Sequence, residues 1–272
     1  MNISSSVPND HKEKWFERFL RFGLISKGVV YCLFGLIAVM AAAGLSADKA
    51  SKTETLKMIY DQPFGKIILA ILLIGLLGYV TLRSFQCFKD SDSKGDSMKG
   101  LTTRVGYGFS ALLYLGLGIY VLKMLLNGSG GNGDSRQFIV SKTLELPGGQ
   151  WLVGIAAIII IGSGINQIYK GASKKFMKKI RLIRSNLENV FTNAGVAGYI
   201  SRGVVLAIIG YLLLHASITS NPEEAKGSEQ AFAFIENRFG SFLMGAIASG
   251  LVAYGIFMFV KARYQRLNIN PE

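Results

Sequence analysis

Two basic residues interrupt long apolar stretches at matched places: Lys27 in FGLISKGVVYCLFG and Arg202 in GYISRGVVLAIIG. A cation at the centre of a spanning helix costs about 2.5–3.5 kcal/mol, and less near the ends. Each of these lies about one turn inside the end of its stretch. Two chemistries are open to them: reaching back to the headgroups along their flexible stems, or lining a vestibule whose positive charge favours anions. Tyrosines hold two further matched positions, Tyr31 with Tyr114 and Tyr79 with Tyr254. A hydroxyl near mid-membrane needs a hydrogen-bond partner, so these side chains either bond helix to helix or line a pore or pocket. Lys27, Arg202, Tyr31, Tyr114, Tyr79 and Tyr254 are therefore the candidate axis or pocket residues.

Catalytic constellations are poorly represented. The two histidines, His11 and His215, stand outside the apolar cores, and no H-E-x-x-H is present. The apolar runs hold no Asp or Glu to relay a proton or form an aspartyl dyad. Gly162-Ser163-Gly164 superficially resembles a serine-protease site, but Ile161 replaces the expected preceding glycine and no histidine is placed to act as base. The expectation is a non-enzymatic protein with no cofactor and no metal.

The elements that must position these residues are six apolar runs, at roughly 22–44, 64–88, 105–126, 149–169, 196–216 and 240–260. Each has about the twenty residues needed to cross ~30 Å of hydrocarbon. The chain is 50% hydrophobic and only 17% charged, where soluble domains sit near a quarter charged. The first run has a basic lead-in and ends in Ala41-Ala42-Ala43, like a signal peptide. It nevertheless matches two later runs position by position, which predicts that it is retained as part of the fold.

The runs form three copies of one pair. Gly23, Gly28, Gly35 open the first copy; Gly106, Ala111, Gly118 the second; Gly198, Gly203, Gly210 the third. The partner run of each pair opens at Pro63-Phe64-Gly65, Pro147-Gly148-Gly149 and Arg238-Phe239-Gly240, and thirteen residues on come Gly78, Gly162 and Ala253. Self-similarity at this level sets the architecture. Two spans per copy make the copies parallel, related by an axis along the membrane normal. The prediction is an all-α membrane protein, six transmembrane helices in a pseudo-threefold bundle. Gly23, Gly28, Gly35, Gly106, Gly118, Gly198, Gly203 and Gly210 are read as packing positions, because small residues let helices approach in lipid.

The net charge of +13 is distributed as a topology signal rather than a nucleic-acid footprint. The segments before the first span and after the second, fourth and sixth carry 4, 4, 7 and 3 Lys+Arg; the alternate loops carry 3, 2 and 2. This is the positive-inside pattern, with both termini cytoplasmic in a bacterial inner membrane. Cys32 and Cys87 do not suit a disulfide framework.

Organisation follows as a cytoplasmic amphipathic arm (1–21), repeat 1 (22–90), repeat 2 (104–170), a basic cytoplasmic linker helix (171–194), repeat 3 (195–262) and a tail (263–272). Asp10–Arg21 reads as an interfacial helix with Trp15, Phe16 and Phe19 at headgroup depth. In the linker, Phe176, Ile180, Ile183, Leu187 and Phe191 share one helical face. Lys174, Lys175, Lys178, Lys179, Arg181 and Arg184 lie beside it, suited to anionic lipid. The outer loops carry apolar sets, such as Leu56, Ile59, Tyr60 and Phe232, Phe234, Ile235, that predict short helices on the outer face.

Paired helices in three copies, with a G-x-x-x-x-G-V-V-type opening and a P-x-G-type second opening, resemble the bacterial domain-of-unknown-function 1206 family over residues 20–262. The resemblance implies a six-helix bacterial membrane protein and carries no catalytic residue or ligand. The second copy departs from the pattern: Ala111 replaces a glycine and Ser110 stands where Lys27 and Arg202 stand. The functional expectation is a non-enzymatic membrane module that packs, binds lipid or docks a partner; the alternative is a passive pore or pocket for a small solute, with an anion as one candidate.

Overall fold

Runs of Leu, Ile, Val and Ala with no internal proline can satisfy every backbone hydrogen bond within a helix, as a bilayer requires. A computed structural model describes residues 10–45, 52–89, 97–128, 135–180, 188–221 and 227–265. Six helices are long and apolar enough to span: α1 (Asp10–Ala42), α3 (Gly65–Phe88), α4 (Met98–Asn127), α6 (Gly149–Ala172), α7 (Glu188–Thr219) and α8 (Ser228–Tyr264). Two short helices, α2 (Lys52–Tyr60) and α5 (Ser135–Leu144), lie in the loops that join the two spans of the first and second repeats. Their counterpart in the third is the start of α8, set off by a kink at Gly240, where φ is 83°. The matching turns before α3 and α6 are also left-handed, at Phe64 and Gly148. The short helices predicted between the spans of each repeat are thus present. They pack inward, with Leu56, Phe232 and Ile235 all buried.

The spanning helices pack in the order α4, α3, α1, α8, α7, α6. Pairs from one repeat (α1/α3, α7/α8) alternate with pairs from successive repeats (α3/α4, α8/α1, α6/α7). Glycine makes the close seams. A Cβ added to Gly28 would lie 2.9 Å from the Gly255 carbonyl oxygen, and one on Gly203 would lie 2.7 Å from that of Gly164. These are equivalent pairs in the repeat. The third equivalent, in α4 and α3, is Ala111 with Val80.

One seam is missing. In a closed threefold ring α4 would pack along α6, as α1 packs along α3 and α7 along α8, but these two helices do not form such an interface. In repeat 1 a Cβ on Gly78 would come within 3.5 Å of Gly23, and Gly75 faces Ser26. In repeat 3 Gly250 faces Ser201. The counterparts of Gly75 and Ser26 in repeat 2 are Ile159 and Phe109, both larger than the residues they replace. Gly106 and Gly162, counterparts of Gly23 and Gly78, have nothing within 4 Å of an added Cβ. The bundle is an open ring with its gap in the second repeat.

Two sequence expectations are corrected. The arm is not a separate interfacial helix, because α1 runs unbroken from Asp10 to Ala42. Trp15 is 68% exposed and stacks on Phe19, but Phe16 packs on Phe85 of α3, 5.5 Å between centroids. Arg21 holds the end of α8. Its guanidinium donates to the carbonyls of Ala262, Arg263 and Gln265 while pairing with Glu17. Helix carbonyls at a C-terminus lack intrahelical partners, so Arg21 caps α8 and puts both ends of the described chain on one side. Arg21→Ala is expected to cost about 1–2 kcal/mol, read as a lower melting temperature in detergent and faster proteolysis after Tyr264.

The basic linker is likewise not one surface helix. α6 stops at Ala172, Lys174 takes a left-handed φ of 52°, and Lys175–Lys179 form a 3₁₀ turn. Ile180 is then extended and bridges to Gln265. The cause is Phe176, which is buried in the bundle, stacked on Tyr199 and edge-on to Phe257 with centroids 4.9 Å away in both cases. Burying that ring outweighs the amphipathic pattern. Ile183, Arg181 and Arg184 lie outside the described residues, as do the side chains of Lys178 and Lys179.

Candidate functional site

All six candidate residues meet in the half of the bundle nearer the termini. Lys27 does not reach the headgroups; it is 0% exposed. The reason is register: Lys27 lies on the same face of α1 as Leu20, Leu24 and Tyr31, all buried, so the core face of the helix carries it inward. Its Nζ donates to the Tyr79 hydroxyl at 2.7 Å. It also stands over the rings of Tyr79, Tyr114, Tyr254 and Tyr31, at 4.4, 5.2, 5.3 and 5.8 Å from their centroids. Ring faces are the negative pole of an aromatic, and a desolvated cation gains about 2 kcal/mol there.

Arg202 is built the same way and remains partly exposed. Its Nε donates to Tyr31 at 2.8 Å and one terminal nitrogen to Tyr254 at 3.1 Å. The tyrosines pair edge to face, Tyr31 on Tyr254 and Tyr79 on Tyr114, with centroids 4.9 and 4.6 Å apart.

The repeat explains the pattern. Lys27 bonds Tyr79, and Arg202 bonds Tyr254, each 52 residues further along the chain. Each cation also meets the tyrosine on the first helix of the next repeat: Lys27 stands over Tyr114, and Arg202 donates to Tyr31. The third corner should use Ser110, Ser163 and Leu206. Those three positions carry no charge and no aromatic ring, and the Ser163 hydroxyl donates to the Ile159 carbonyl of its own helix at 2.8 Å. The stripped corner coincides with the open α4/α6 seam.

A third cation, outside the matched repeat positions, joins the site. Arg83, one turn beyond Tyr79, donates its Nε to the Tyr79 hydroxyl at 2.7 Å and another nitrogen to Gln86 at 2.8 Å. It also stands 4.9 Å from the Tyr107 centroid. Its repeat counterparts are Gln167 and Met258, so matching copies gave no signal; its i+4 spacing from Tyr79 did. Tyr107 and Tyr199 share one repeat position, directly after Gly106 and Gly198, and that signal was available. Tyr199 packs edge-on against Tyr254, 5.4 Å between centroids.

Lys27 and Arg83 donate to one oxygen, so two positive charges are close neighbours in a low-dielectric site. The apolar runs hold no Asp or Glu; Lys27, Arg83 and Arg202 donate to tyrosine hydroxyls and the Gln86 amide oxygen and stand over ring faces. Toward the far side the interior changes character. Phe34, Leu72, Val121, Met244 and Phe232 are buried there, with Phe34 edge-on to Phe232 at 5.6 Å.

The comparisons agree with this architecture. A family profile described as Domain of Unknown Function (DUF1206) matches residues 22–90, 105–174 and 197–265, one match per repeat. The chain is similar to the uncharacterized protein YxxB of Bacillus subtilis, 33% identical over 256 residues, covering 93% of this chain and 92% of the relative. No solved structure matches. Three tandem copies of one two-helix unit, matched across nearly the whole multi-pass chain, place this protein in the DUF1206 family.

Proposed function

We propose that this is a non-enzymatic membrane protein whose cation–tyrosine cage holds an anionic group. The observation that carries the reading is the gathering of Lys27, Arg83 and Arg202 among tyrosines, at a depth where the apolar runs of the sequence hold no Asp or Glu. Like charges in a low-dielectric interior repel strongly, and buried charge is retained at a cost unless compensated. An anion seated among them would relieve that repulsion and accept charge-assisted hydrogen bonds. Basic residues on the termini's side favour a cytoplasmic placement of both termini in a bacterial inner membrane, which sets the cage in the half of the bundle toward the cytoplasmic leaflet. The exposed turn at Lys174 and Lys175, with Lys175 bonded to Tyr169, adds a peripheral contact for anionic headgroups; Lys178, Lys179, Arg181 and Arg184 continue the same basic sequence.

Inorganic phosphate is expected to raise the melting temperature of the wild-type protein in neutral detergent, since a ligand of the folded state stabilises it. Lys27→Met and Arg202→Gln should blunt the rise. A wild type indifferent to phosphate, or variants that respond equally, would remove the reading. The apolar filling of the far half argues against a through-pore, so proteoliposomes are expected to show no chloride or phosphate flux above protein-free vesicles. A robust flux that Arg202→Gln abolishes would restore the pore.

A further inference from the structure

The missing seam says how the anion arrives and what it is attached to. We infer that the gap between α4 and α6 admits an anionic phospholipid sideways from the bilayer, its headgroup entering the cage and its acyl chains lying along the open faces of the second repeat. This rests on the anion-binding reading above and specifies the ligand class of that site.

Three independent departures of the second repeat converge on one place. The positions that close the seam elsewhere, Gly75 with Ser26 and Gly250 with Ser201, become Ile159 and Phe109. The clasp that ties the paired helices elsewhere, Lys27–Tyr79 and Arg202–Tyr254, becomes Ser110 and Ser163. The tyrosine that would close the corner from α7 becomes Leu206. Loss of the clasp alone would leave a weakened seam. Bulk at the seam alone would leave a cation and a tyrosine facing each other across a gap. All three together leave α4 and α6 unpaired, with serines at the repeat positions that elsewhere carry a cation and a tyrosine. Leu113 and Ile159, at the positions that face inward in the other repeats, are 47% and 43% exposed.

The occupant follows from the charge and polarity along that gap. An apolar helix from a partner would fit the slot but would bring nothing negative to the cage. A soluble anion would fit the cage but would have no use for an apolar side entrance. An anionic phospholipid matches both ends: acyl chains on Leu113, Ile159 and their neighbours, a phosphate beside Arg202 and Lys27, with Ser110 and Ser163 at the threshold. Arg202 is the cation it would meet first, because α7 packs directly against α6 and Arg202 keeps part of its surface exposed.

The test blocks the slot without touching the cage. Gly106→Trp and Gly162→Trp place large side chains where nothing lies within 4 Å, so folding should survive; retention of the wild-type melting temperature checks this. Protein in neutral detergent is mixed with phosphatidylglycerol or phosphatidylcholine and bound lipid is read by native mass spectrometry. The wild type is expected to retain phosphatidylglycerol at least tenfold over phosphatidylcholine, and either tryptophan variant should lose that retention while still being stabilised by inorganic phosphate. Equal retention of the two lipids, or undiminished phosphatidylglycerol in both tryptophan variants, overturns lateral lipid entry while leaving anion binding intact. A dimer whose formation the tryptophans abolish would assign the slot to a second copy instead and also overturn it. Loss of the phosphate response in the wild type itself is the separate failure, that of the cage reading.

Discussion

Gly255→Leu is expected to prevent the bundle from surviving purification in mild detergent, whereas Gly162→Leu leaves it intact. Both glycines lie inside spanning helices. A Cβ on Gly255 would sit 2.7 Å from the Cys32 backbone nitrogen and 2.7 Å from the Gly28 carbonyl oxygen. Those are backbone atoms, so relief requires α1 and α8 to separate along a seam that also carries the Arg21 clasp. Overpacking commonly costs about 1–3 kcal/mol and more where backbone must move, a large fraction of the roughly 5–15 kcal/mol by which folded proteins are stable. Gly162 meets nothing within 4 Å, so a leucine there faces open space and recovers up to about 1 kcal/mol of helix propensity. Size-exclusion profiles after a short heat step would separate the two. Equal loss in both variants would mean that glycine itself, not the close approach it permits, is what the helices need.

The second large effect falls on the cage. Lys27→Met with Arg202→Gln is expected to weaken anion binding by about 100-fold or more, since a hydrogen bond to a charged group contributes about 1.5–3 kcal/mol and each 1.4 kcal/mol is tenfold in affinity. Stability should move far less than binding. Lys27→Met removes one bond to Tyr79 and four ring contacts but also removes the repulsion between Lys27 and Arg83. Titration with phosphatidylglycerol, alongside thermal unfolding of the same samples, separates the two quantities. If the double variant unfolds cooperatively at a much lower temperature yet binds anions unchanged, the cations serve architecture alone.

The sequence carried the six spans and three repeats because both are periodic: apolar length reports crossing, and matched glycines report seams. It also carried most of the cage, because Lys27, Arg202 and four tyrosines recur at fixed offsets. Arg83 escaped since its repeat counterparts, Gln167 and Met258, are unlike it. The two surface helices failed for a different reason. An amphipathic pattern says that one face is apolar, not what that face will cover; Phe16 and Phe176 found Phe85, Tyr199 and Phe257 rather than lipid. The open seam was visible only in part. Ser110, Ser163 and Leu206 mark a broken symmetry on sequence grounds, but that Ile159 stands where a close approach needs glycine becomes clear only once Gly75 is seen against Ser26.

The central claim is that an anion sits among Lys27, Arg83 and Arg202. The most direct measurement is an experimental structure of the protein in phosphatidylglycerol-containing nanodiscs. The account predicts phosphate density at about 3 Å from the Arg202 guanidinium, with α4 and α6 apart and acyl density between them. A cage filled by protein side chains alone, with α4 packed against α6, would contradict it.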